Sequence, residues 1–277
     1  MTRRVAVIGV GGVGMAHACA AGRLGLPVVA MIDADPATLA RVRKRWFNTF
    51  DGHDEEVAVQ CGCDYMMQVG GAMPDADVVI VAVPPHAQEA LAFKIAHSWP
   101  RALVMFEKPV WLSHEAKRVF GDRLRMSAEH VHMVDVGGFV RAATSITATS
   151  TRTTATTRWG YTLNLLQDLG PHLFSLLYVH VGHPLKYGWI SLTDDGAFGF
   201  SGRVRWDERD VLVSALRSPG LRFGWTLRGH TQDDGQWERR FAWQPDLFDR
   251  QLASPTCGIE PKGIEVIMAL ANGEARA

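Results

Sequence analysis

The sequence has no long apolar run and no excess of charge of either sign. None of its apolar stretches approaches the roughly 20 residues that a membrane-crossing helix needs, so no membrane association is expected. Its 29 basic residues are matched by 29 acidic ones, whereas binding to nucleic acid depends on a concentrated positive excess. The densest basic stretch, Arg41 to Arg45, falls on a predicted helix and is typical of a solvated face. Nucleic acid and membranes are therefore not expected partners.

Cysteine is also scarce, with four residues in a chain of 277. Cys61 and Cys63 are too close for a usual zinc knuckle, and no His/Cys pair lies at ligand spacing, so we expect reduced thiols and no metal. Near the N-terminus, Arg3 and Arg4 precede an apolar stretch rich in β-branched residues and glycine. That stretch predicts a first strand rather than a signal peptide, and a cytoplasmic protein is the expectation.

Short apolar runs alternate with helix-like segments over the first 140 residues. Strands are predicted at 4–8, 27–32, 77–83, 102–106 and 131–140. Helices are predicted from the first glycine cluster to about Leu24, and at 36–46, 88–98 and 114–126. This alternation is the pattern of a doubly wound parallel sheet with right-handed crossovers. We therefore predict an α/β domain over residues 1–128.

The pattern changes after Arg141. Threonine dominates 144–157 and favours extended chain, because its branched side chain is stiff. A helix is predicted at 168–181, followed by strands at 186–193, 197–206, 209–217, 220–229 and 236–243 and a final helix at 261–271. Turn residues between these strands indicate an antiparallel sheet. We therefore predict a smaller second domain over 129–277, with a final helix that is expected to pack back on the first domain.

A glycine-rich turn follows the first predicted strand and opens the first predicted helix. Gly9, Gly11 and Gly14 have the G-x-G-x-x-G spacing. The first glycine allows a tight turn, the second lets the backbone approach a pyrophosphate, and the third lets helix and strand pack closely. The helix N-terminus offers N–H groups and a positive dipole end to phosphates. A Rossmann dinucleotide site that includes Gly12 and Val13 is predicted, the alternative being a glycine-rich turn that binds something else.

An acidic residue, Asp33, ends the second predicted strand, 19 residues after Gly14. Its carboxylate can accept hydrogen bonds from the adenosine ribose hydroxyls and would repel a 2′-phosphate. The next residue, Ala34, offers no positive charge to hold such a phosphate. NAD is therefore the expected cofactor, and NADP is disfavoured.

Four motifs along the chain occur in a characteristic order. They are Val7–Gly14 (VIGVGGVG), Ala76–Pro84 (ADVVIVAVP), Glu107–Pro109 (EKP) and Asp168–His172 (DLGPH), with a weaker fifth at Val181–Pro184 (VGHP). With these motifs the chain resembles the Gfo/Idh/MocA oxidoreductases, the group of glucose–fructose oxidoreductase and inositol dehydrogenase. The resemblance spans most of the chain, and Glu-Lys-Pro followed later by Asp-x-x-x-His is its most specific part.

The resemblance implies a Rossmann domain followed by a C-terminal α+β domain whose open, mainly antiparallel sheet commonly serves oligomerisation. A homodimer or homotetramer is therefore expected. The resemblance places Lys108, Asp168 and His172 at the substrate, beside the nicotinamide. Further cofactor contacts are expected from Val83, Pro84, His86 and Glu107, which lie at or near the ends of predicted strands.

Three departures from the family pattern concern the substrate site. Family members usually place glycines shortly before the aspartate, where this chain has Tyr161–Gln167. They often carry a second aspartate at the position of Ser175. The chain is also shorter than most members, so a trimmed second domain is expected.

The residues themselves predict how a hydride transfer would be assisted. Oxidising a secondary alcohol requires removal of the hydroxyl proton, and histidine suits this because its ordinary pKa lies near working pH. His172 is therefore the predicted general acid/base. Asp168 lies four residues earlier, so both side chains share one face of a helix. Lys108 is expected to stabilise charge on the reacting oxygen, and Asp168 to orient substrate or pair with Lys108.

Weaker candidates complete the predicted site. Arg141, at the end of the last strand predicted for the first domain, is a candidate for binding a substrate anion or polyol. Trp159 and Tyr161 could wall the substrate pocket, although core or surface positions explain these two aromatic residues equally well. His130 and His132 alternate along a predicted strand, and two histidines without a third ligand favour a structural role over a metal site.

Three functions are compatible with these residues. The leading hypothesis is an NAD-dependent dehydrogenase or reductase of a sugar, cyclitol or similar polar hydroxy compound. A reductase of an imine or another unsaturated metabolite would instead use Lys108 and His172 to protonate. A non-catalytic dinucleotide-binding sensor would need no proton donor beside the nicotinamide, so the three polar site residues favour catalysis.

Overall fold

A computed structural model describes most of the chain, in two compact units. The described residues are 2–49, 58–61, 73–133, 135–150, 164–196, 198–217, 224–231, 235–244, 246–254, 258–275 and 277. One unit comprises Met1–Ser127 and Phe248–Pro261, and the other comprises Ala128–Leu247 and Lys262–Ala277. A domain boundary near residue 128 remains our prediction. In the structure, Phe248–Pro261 also belongs to the N-terminal unit.

The first unit is built on a six-stranded parallel sheet in the order β3-β2-β1-β4-β5-β6. Its strands are β1 (Val5–Ile8), β2 (Val28–Asp33), β3 (Ala58–Cys61), β4 (Val78–Val81), β5 (Leu103–Phe106) and β6 (Leu124–Met126). Its helices are α1 (Gly12–Arg23), α2 (Pro36–Thr49), α3 (Pro85–Ser98), α4 (His114–Phe120) and, near the C-terminus, α7 (Leu247–Ala253). This strand order is that of Rossmann dinucleotide-binding folds, and it reverses between β1 and β4, where such folds bind their ligand.

The central strands of this sheet end at one level. Hydrogen bonds continue past the last paired residues, with Gly9 N–H donating to Ile32 O and Ala82 N–H to Ile8 O. In the same way, Glu107 N–H donates to Val81 O at 2.8 Å. Every residue of β1 and β4 is buried, as expected for strands covered on both faces. The residues that follow β1, β4 and β5 therefore share one edge of the sheet.

The second unit carries a mixed six-stranded sheet in the order β12-β11-β7-β10-β9-β8. Its strands are β7 (Ala143–Ser150), β8 (Tyr187–Asp194), β9 (Gly199–Trp206), β10 (Arg209–Arg217), β11 (Gly224–His230) and β12 (Gln236–Ala242). Its helices are α5 (Val136–Ala142), α6 (Leu165–Val181) and α8 (Pro261–Ala271). β7 and β10 pair in parallel, and the other neighbours are antiparallel. The predicted α/β fold with a mainly antiparallel second sheet is confirmed.

One face of the second sheet forms the core of this unit. Helix α6 packs against β7, β9 and β10, and Leu173, Phe174 and Leu177 on that helix are fully buried. The indole of Trp189 in β8 donates to the Leu270 carbonyl oxygen at 2.9 Å. Burial of these apolar side chains anchors α6, the helix that carries Asp168 and His172.

The prediction of a strand at 131–140 was wrong. A 3-10 helix spans Glu129–His132 and α5 follows it. The last strand of the first sheet is instead β6, which pairs in parallel with β5 inside a stretch predicted as helix. A three-residue strand is too short to show a period, so pairing with β5 rather than local pattern decides its conformation. The strand β3 and the helix α7 were not predicted.

The start of α6 also differs from the prediction. The helix begins at Leu165 rather than near Asp168, with the Asn164 side chain accepting from the Gln167 N–H at 2.8 Å as N-cap. Pro171 therefore lies inside the helix. Asp168 and His172 still stand one turn apart on it. Within the described residues, no helix combines the length and apolarity that a membrane crossing requires.

Candidate active site

The glycines of the turn after β1 differ in whether a side chain would fit at their positions. Gly9 has φ 81°, and a Cβ there would lie 2.6 Å from the Ala82 carbonyl oxygen. A Cβ on Gly14 would lie 1.9 Å from the Gly9 carbonyl oxygen. By contrast, a Cβ on Gly11 or Gly12 would have no atom within 4 Å. Gly9 and Gly14 thus form the turn, and Gly11 and Gly12 border open space.

That open space adjoins the N-terminus of α1. Gly11 is the N-cap, and no side chain caps the helix there. The first N–H groups of a helix have no partner within it, and with the helix dipole they favour an anionic group. The turn, including Val13 as the second residue of α1, fits the pyrophosphate of a dinucleotide.

The carboxylate of Asp33 supports this turn from the end of β2. Its Oδ2 accepts from the Val10 N–H and its Oδ1 from the Asp35 N–H, both at 2.9 Å. The residue is buried. Each carboxylate oxygen has a second lone pair, so ribose hydroxyls could still be accepted, and this role stays a prediction. Holding the glycine turn is a role that the sequence did not suggest.

A second acidic residue, Asp35, caps the following helix. It accepts from the Thr38 hydroxyl at 2.7 Å and from the Ala37 N–H at 3.0 Å. The hydrogen bond from Thr38 lowers the pKa of the Asp35 carboxyl, with the Ala37 N–H adding to the effect. Two carboxylates therefore lie at the C-terminal end of β2, Asp33 as its last residue and Asp35 just beyond it, a placement that favours ribose hydroxyls over a 2′-phosphate.

Lys108 follows β5 in a buried polar network. The lysine side chain is 5% exposed, and its Nζ lies 3.6 Å from Glu107 Oε2. Nζ also donates to the Ser127 carbonyl oxygen at 3.4 Å. The other oxygen of Glu107 lies 2.6 Å from Nε2 of His17, a fully buried residue of α1. The lysine is therefore fixed by groups within the same unit.

His17 was missed from the sequence. The available signal was a lone histidine three residues after Gly14, within an alanine-rich helix face. Its ring also meets Phe248 edge-on, with centroids 4.4 Å apart. Within the described residues, His17 Nδ1 is buried with no hydrogen-bond partner. The hydrogen bond that holds this ring is therefore the one between Nε2 and Glu107.

Gln88 was also missed, and it holds the loop that carries Lys108. Its amide nitrogen donates to the carbonyl oxygens of Glu107 and Pro109, at 3.1 and 3.0 Å. Its amide oxygen accepts from the Trp111 N–H at 2.8 Å. The Lys108–Pro109 peptide bond is cis. The available signal was a glutamine at the first position of the helix predicted over 88–98.

Of the residues after β4 that were predicted to contact the cofactor, Val83 lies next to the glycine turn. Val83 presents its side chain to Gly9, because a Cβ on Gly9 would lie 2.9 Å from Val83 Cγ1. Pro84 is the N-cap of α3, and His86 is exposed in the first turn of that helix. Their contacts with a cofactor remain predictions.

In the second unit, Asp168 is paired with an arginine. Its Oδ2 accepts from Arg217 Nη2 at 2.7 Å, and the two side chains are 19% and 4% exposed. Arg217 ends β10, where the sequence showed only a strand. The ion pair fixes the position of the Asp168 carboxylate. The sequence had suggested Lys108 as an alternative partner for this carboxylate.

His172 lies beside His130. The two Nδ1 atoms are 3.2 Å apart, and Nε2 of His130 lies 2.7 Å from the carbonyl oxygen of His172 itself. The ring of Trp225 stacks on His130 at 5.3 Å, with 17° between the planes. Both histidines are buried. The sequence linked His130 with His132 and gave no sign that it would meet His172.

Glu129 adds a third potential ligand atom to the two histidines. The ligand atoms of Glu129, His130 and His172 lie within 4.8 Å of one another. The argument from sequence that His130 lacks further ligands therefore does not hold, and the absence of a metal stays a prediction.

The structure adds little about the other predicted substrate residues. Arg141 is exposed on α5, while Trp159 and Tyr161 lie outside the described residues. Lys108 belongs to the first unit, and Asp168 and His172 belong to the second. Their convergence on one substrate stays a prediction.

Comparisons with known proteins agree with this architecture. Among solved structures, the chain is similar to a WlbA (WbpB) dehydrogenase from Thermus thermophilus in complex with NAD and UDP-GlcNAcA, with a TM-score of 0.69, 17% identity and coverage of 98% of this chain and 95% of that one. It is also similar to a putative myo-inositol dehydrogenase from Sinorhizobium meliloti 1021, with a TM-score of 0.64, 18% identity and the same coverage. A third is GenD2 from gentamicin A biosynthesis in complex with NAD, with a TM-score of 0.65, 16% identity and coverage of 99% and 94%. At these identities the likeness concerns the fold.

The search of curated proteins found no match. Residues 3–133, which include the glycine turn, Asp33 and Lys108, match the sequence model of the Gfo/Idh/MocA family, described as an oxidoreductase family with an NAD-binding Rossmann fold. The resemblance predicted from the motifs is thus confirmed for the N-terminal part of the chain, which matches the Gfo/Idh/MocA oxidoreductase family, and the cofactor of that family is NAD.

Proposed function

We propose that the protein is an NAD-dependent dehydrogenase or reductase that acts on a CH–OH group of a small polar compound, such as a sugar or cyclitol derivative. The observation that carries this proposal is the placement of Lys108 on the sheet edge that bears the glycine turn. β4 lies between β1 and β5, so Gly9 and Glu107 are about 10 Å apart at the usual strand spacing. An ammonium group lies one residue beyond, on the β4–β5 side of the reversal in strand order.

The position of Lys108 relative to the reversal in strand order decides which half of NAD would contact it. Asp33, on the β2 side, is placed for the adenosine ribose. A dinucleotide that crosses the edge between β1 and β4 extends its other half towards β5. Lys108 is therefore on the nicotinamide side. NAD, when bound, supplies the hydride acceptor or donor.

The side chains supply the proton chemistry of the proposed reaction. His172 takes the hydroxyl proton as the alcohol is oxidised and returns it in the reverse direction. Lys108 donates a hydrogen bond to the reacting oxygen and stabilises charge there. Its own ammonium charge is balanced by Glu107, 3.6 Å away. Asp168, held by Arg217, accepts hydrogen bonds from neighbouring substrate hydroxyls and orients the ring.

Structural relatives support the substrate class without fixing it. One is a complex of a dehydrogenase with NAD and UDP-GlcNAcA, and another is a putative myo-inositol dehydrogenase. Both names point to polyhydroxylated rings. We therefore propose a polyhydroxylated ring as the substrate of this chain, without naming a single compound.

The proposal is tested by following nicotinamide absorbance with a panel of sugars, nucleotide sugars and cyclitols, in both directions. Lys108→Ala and His172→Ala should each lower kcat by about 10²–10⁴-fold, the range for general acid–base assistance, while NAD still binds. Lys186→Ala, at an exposed lysine, is the matched control. NAD binding with no turnover of any alcohol, ketone or imine would favour the sensor hypothesis. Turnover of imines alone would favour the imine reductase.

We also propose a cytoplasmic homodimer or homotetramer that forms through the open face of the second sheet. Along β10, Leu212 and Leu216 are about half exposed, while Val211 and Val213 are buried on the opposite face. A groove of about 490 Å³ runs along the exposed face, lined by Ile190, Leu212 and several hydroxyl side chains. Leu212→Asp should shift the mass measured by light scattering towards the monomer, and an unchanged mass would exclude this face.

A further inference from the structure

Two buried histidines in the second unit form a closed hydrogen-bonded arrangement. His130 lies on the 3-10 helix Glu129–His132, and His172 lies on α6. Nε2 of His130 is 2.7 Å from the carbonyl oxygen of His172, and the two Nδ1 atoms are 3.2 Å apart. One imidazole therefore contacts both the backbone and the ring of the other residue.

These contacts determine where the protons lie. A carbonyl oxygen only accepts hydrogen bonds, so Nε2 of His130 carries a hydrogen and donates it. A neutral imidazole has one N–H, which leaves Nδ1 of His130 as an acceptor. The facing Nδ1 of His172 must then carry the hydrogen. In that tautomer, Nε2 of His172 holds the lone pair.

The surroundings of His130 favour its neutral form. The residue is fully buried, and the Trp225 ring stacks on it at 5.3 Å. Such an enclosure offers little solvation to an imidazolium. Two protonated rings would also bring two Nδ1–H groups face to face at 3.2 Å. Glu129 is the acidic neighbour that opposes this preference, because its carboxylate lies within 4.8 Å of both rings.

We propose that His130 is a positioning residue that holds His172 as the Nδ1–H tautomer and so makes Nε2 the atom that exchanges a proton with the substrate. The inference rests on the proposed function, in which His172 is the general acid/base. Because His130 is bonded to the carbonyl of the same residue, it fixes the ring of His172 relative to its own backbone. The hydrogen bond between the rings also supports the positive charge that His172 gains when it takes the proton.

A metal ion is the competing explanation of the same cluster. An ion held by Glu129 and the two facing Nδ1 atoms of His130 and His172 would require both Nδ1 atoms to be unprotonated. The hydrogen-bonded pair requires one of them to be protonated. The two explanations therefore predict different ring nitrogens, which makes them separable.

The first test is a long-range ¹H–¹⁵N correlation spectrum of the whole protein with ¹⁵N-labelled histidine, recorded with a chelator and then with added Zn²⁺. We expect His172 to show a protonated Nδ1 and an unprotonated Nε2, and His130 to show the opposite pattern. Spectra of His130→Gln and His172→Gln assign the signals. A protonated Nε2 on His172, a doubly protonated His130, or stoichiometric Zn²⁺ binding that shifts both Nδ1 signals would overturn the proposal.

The second test compares two substitutions at position 130. Gln retains an N–H donor and an oxygen acceptor, whereas Leu retains neither. We expect His130→Leu to lower kcat on the order of 100-fold with KM little changed, because the lost assistance concerns proton transfer. His130→Gln should recover most of that loss, and equal losses in both variants would contradict the proposal. His183→Gln, at an exposed histidine, is the control.

Failure of this inference is distinguishable from failure of the proposed function. If His172→Ala retains full turnover, His172 is not the acid/base, and the function proposed for it fails whatever the spectrum shows. If His172→Ala abolishes turnover but the spectrum shows the opposite tautomer, only the role of His130 is wrong. Should His130→Leu not fold, the spectrum of the unsubstituted protein decides.

Discussion

The imidazole of His17 lies 2.6 Å from the carboxylate of Glu107, and neither residue has more than a small exposed fraction. The contact joins α1, the helix that begins at the glycine turn, to the residue before Lys108. It therefore connects the proposed phosphate site with the proposed catalytic lysine inside one unit. Because Glu107 Oε2 lies 3.6 Å from Lys108 Nζ, the contact also helps to position the ammonium group.

Replacing His17 by Leu should reduce the stability of the first unit. The Glu107 carboxylate would lose the hydrogen bond at its Oε1, and a hydrogen bond to a charged group contributes about 1.5–3 kcal/mol. His17→Gln, which keeps an N–H donor, should lose less. Denaturant unfolding of both variants gives the free energies of unfolding. Equal stability of His17→Leu and the unsubstituted protein would show that the contact contributes nothing.

The glycines of the turn should separate into two classes. Gly14→Ala forces a Cβ to within 1.9 Å of the Gly9 carbonyl oxygen and should lower the free energy of unfolding by about 1–3 kcal/mol, the cost of overpacking. Gly11→Ala meets no atom within 4 Å and should leave stability nearly unchanged. Its methyl group would instead occupy the space proposed for the pyrophosphate, so NAD affinity should fall on the order of tenfold. Thermal unfolding and calorimetric titration with NAD measure the two effects.

The opposite pattern, with Gly11→Ala unstable or binding NAD normally, would contradict the proposed location of the pyrophosphate. Gly25→Ala is not a suitable control, because Gly25 has φ 66°. Gly138→Ala is a better one, since a Cβ there also meets nothing within 4 Å.

The parts of the fold that were predictable are those in which local sequence and tertiary structure agree. The strand before Gly9 and the strand before Pro84 are continuous apolar runs that end at turn residues, and both lie buried in the centre of the sheet. The segment 131–140 failed because its apolar residues suit several conformations. In the structure the segment contains a helix instead: Asp135, with a left-handed backbone at φ 58°, is its N-cap, and the two glycines of the segment lie within it.

Only those residues of the candidate site that belong to the family motifs were predictable. Lys108, Asp168 and His172 followed from a family pattern, but their immediate partners did not. His17, Arg217 and His130 each lie more than 40 residues from the side chain they contact. Pairings of that kind depend on how strands and helices assemble. A single sequence offers no sign of them.

His180 should make stability depend on pH near neutrality. Burial lowers the pKa of its imidazole from the ordinary value of 6.5. Its Nε2 is 3.1 Å from the Val131 carbonyl oxygen, and this hydrogen bond opposes the effect of burial without cancelling it. Because the folded state resists protonation, its contribution is present above about pH 6.5 and is lost as pH falls through the folded pKa.

The measurement for His180 is the free energy of unfolding of the unsubstituted protein and His180→Gln, between pH 5 and 8. The difference between them should shrink as pH falls. His183→Gln, at an exposed histidine, should run parallel to the unsubstituted protein throughout. A difference that stays constant over this range would show that His180 does not titrate on unfolding.

The Arg217–Asp168 pair should contribute to both stability and catalysis, and a double-mutant cycle separates the two. Asp168→Asn leaves the guanidinium of Arg217, 4% exposed, without its carboxylate, and removing one partner of a buried pair costs up to about 3–5 kcal/mol. Asp168 is partly exposed, so we expect the lower end of that range. Arg217→Met in the same chain removes the guanidinium that has lost its Asp168 partner and should restore part of the stability.

Activity should not recover in the double variant, since the carboxylate proposed to orient the substrate is still missing. The expected signature is a raised KM and a lowered kcat in both Asp168→Asn and the double variant, with stability differing between them. If activity returned together with stability, Asp168 would be an ordinary structural partner of Arg217, and the substrate would have to be oriented by other groups. Arg205→Met, at an exposed arginine paired with Asp210, should change neither quantity appreciably, because solvated ion pairs contribute little.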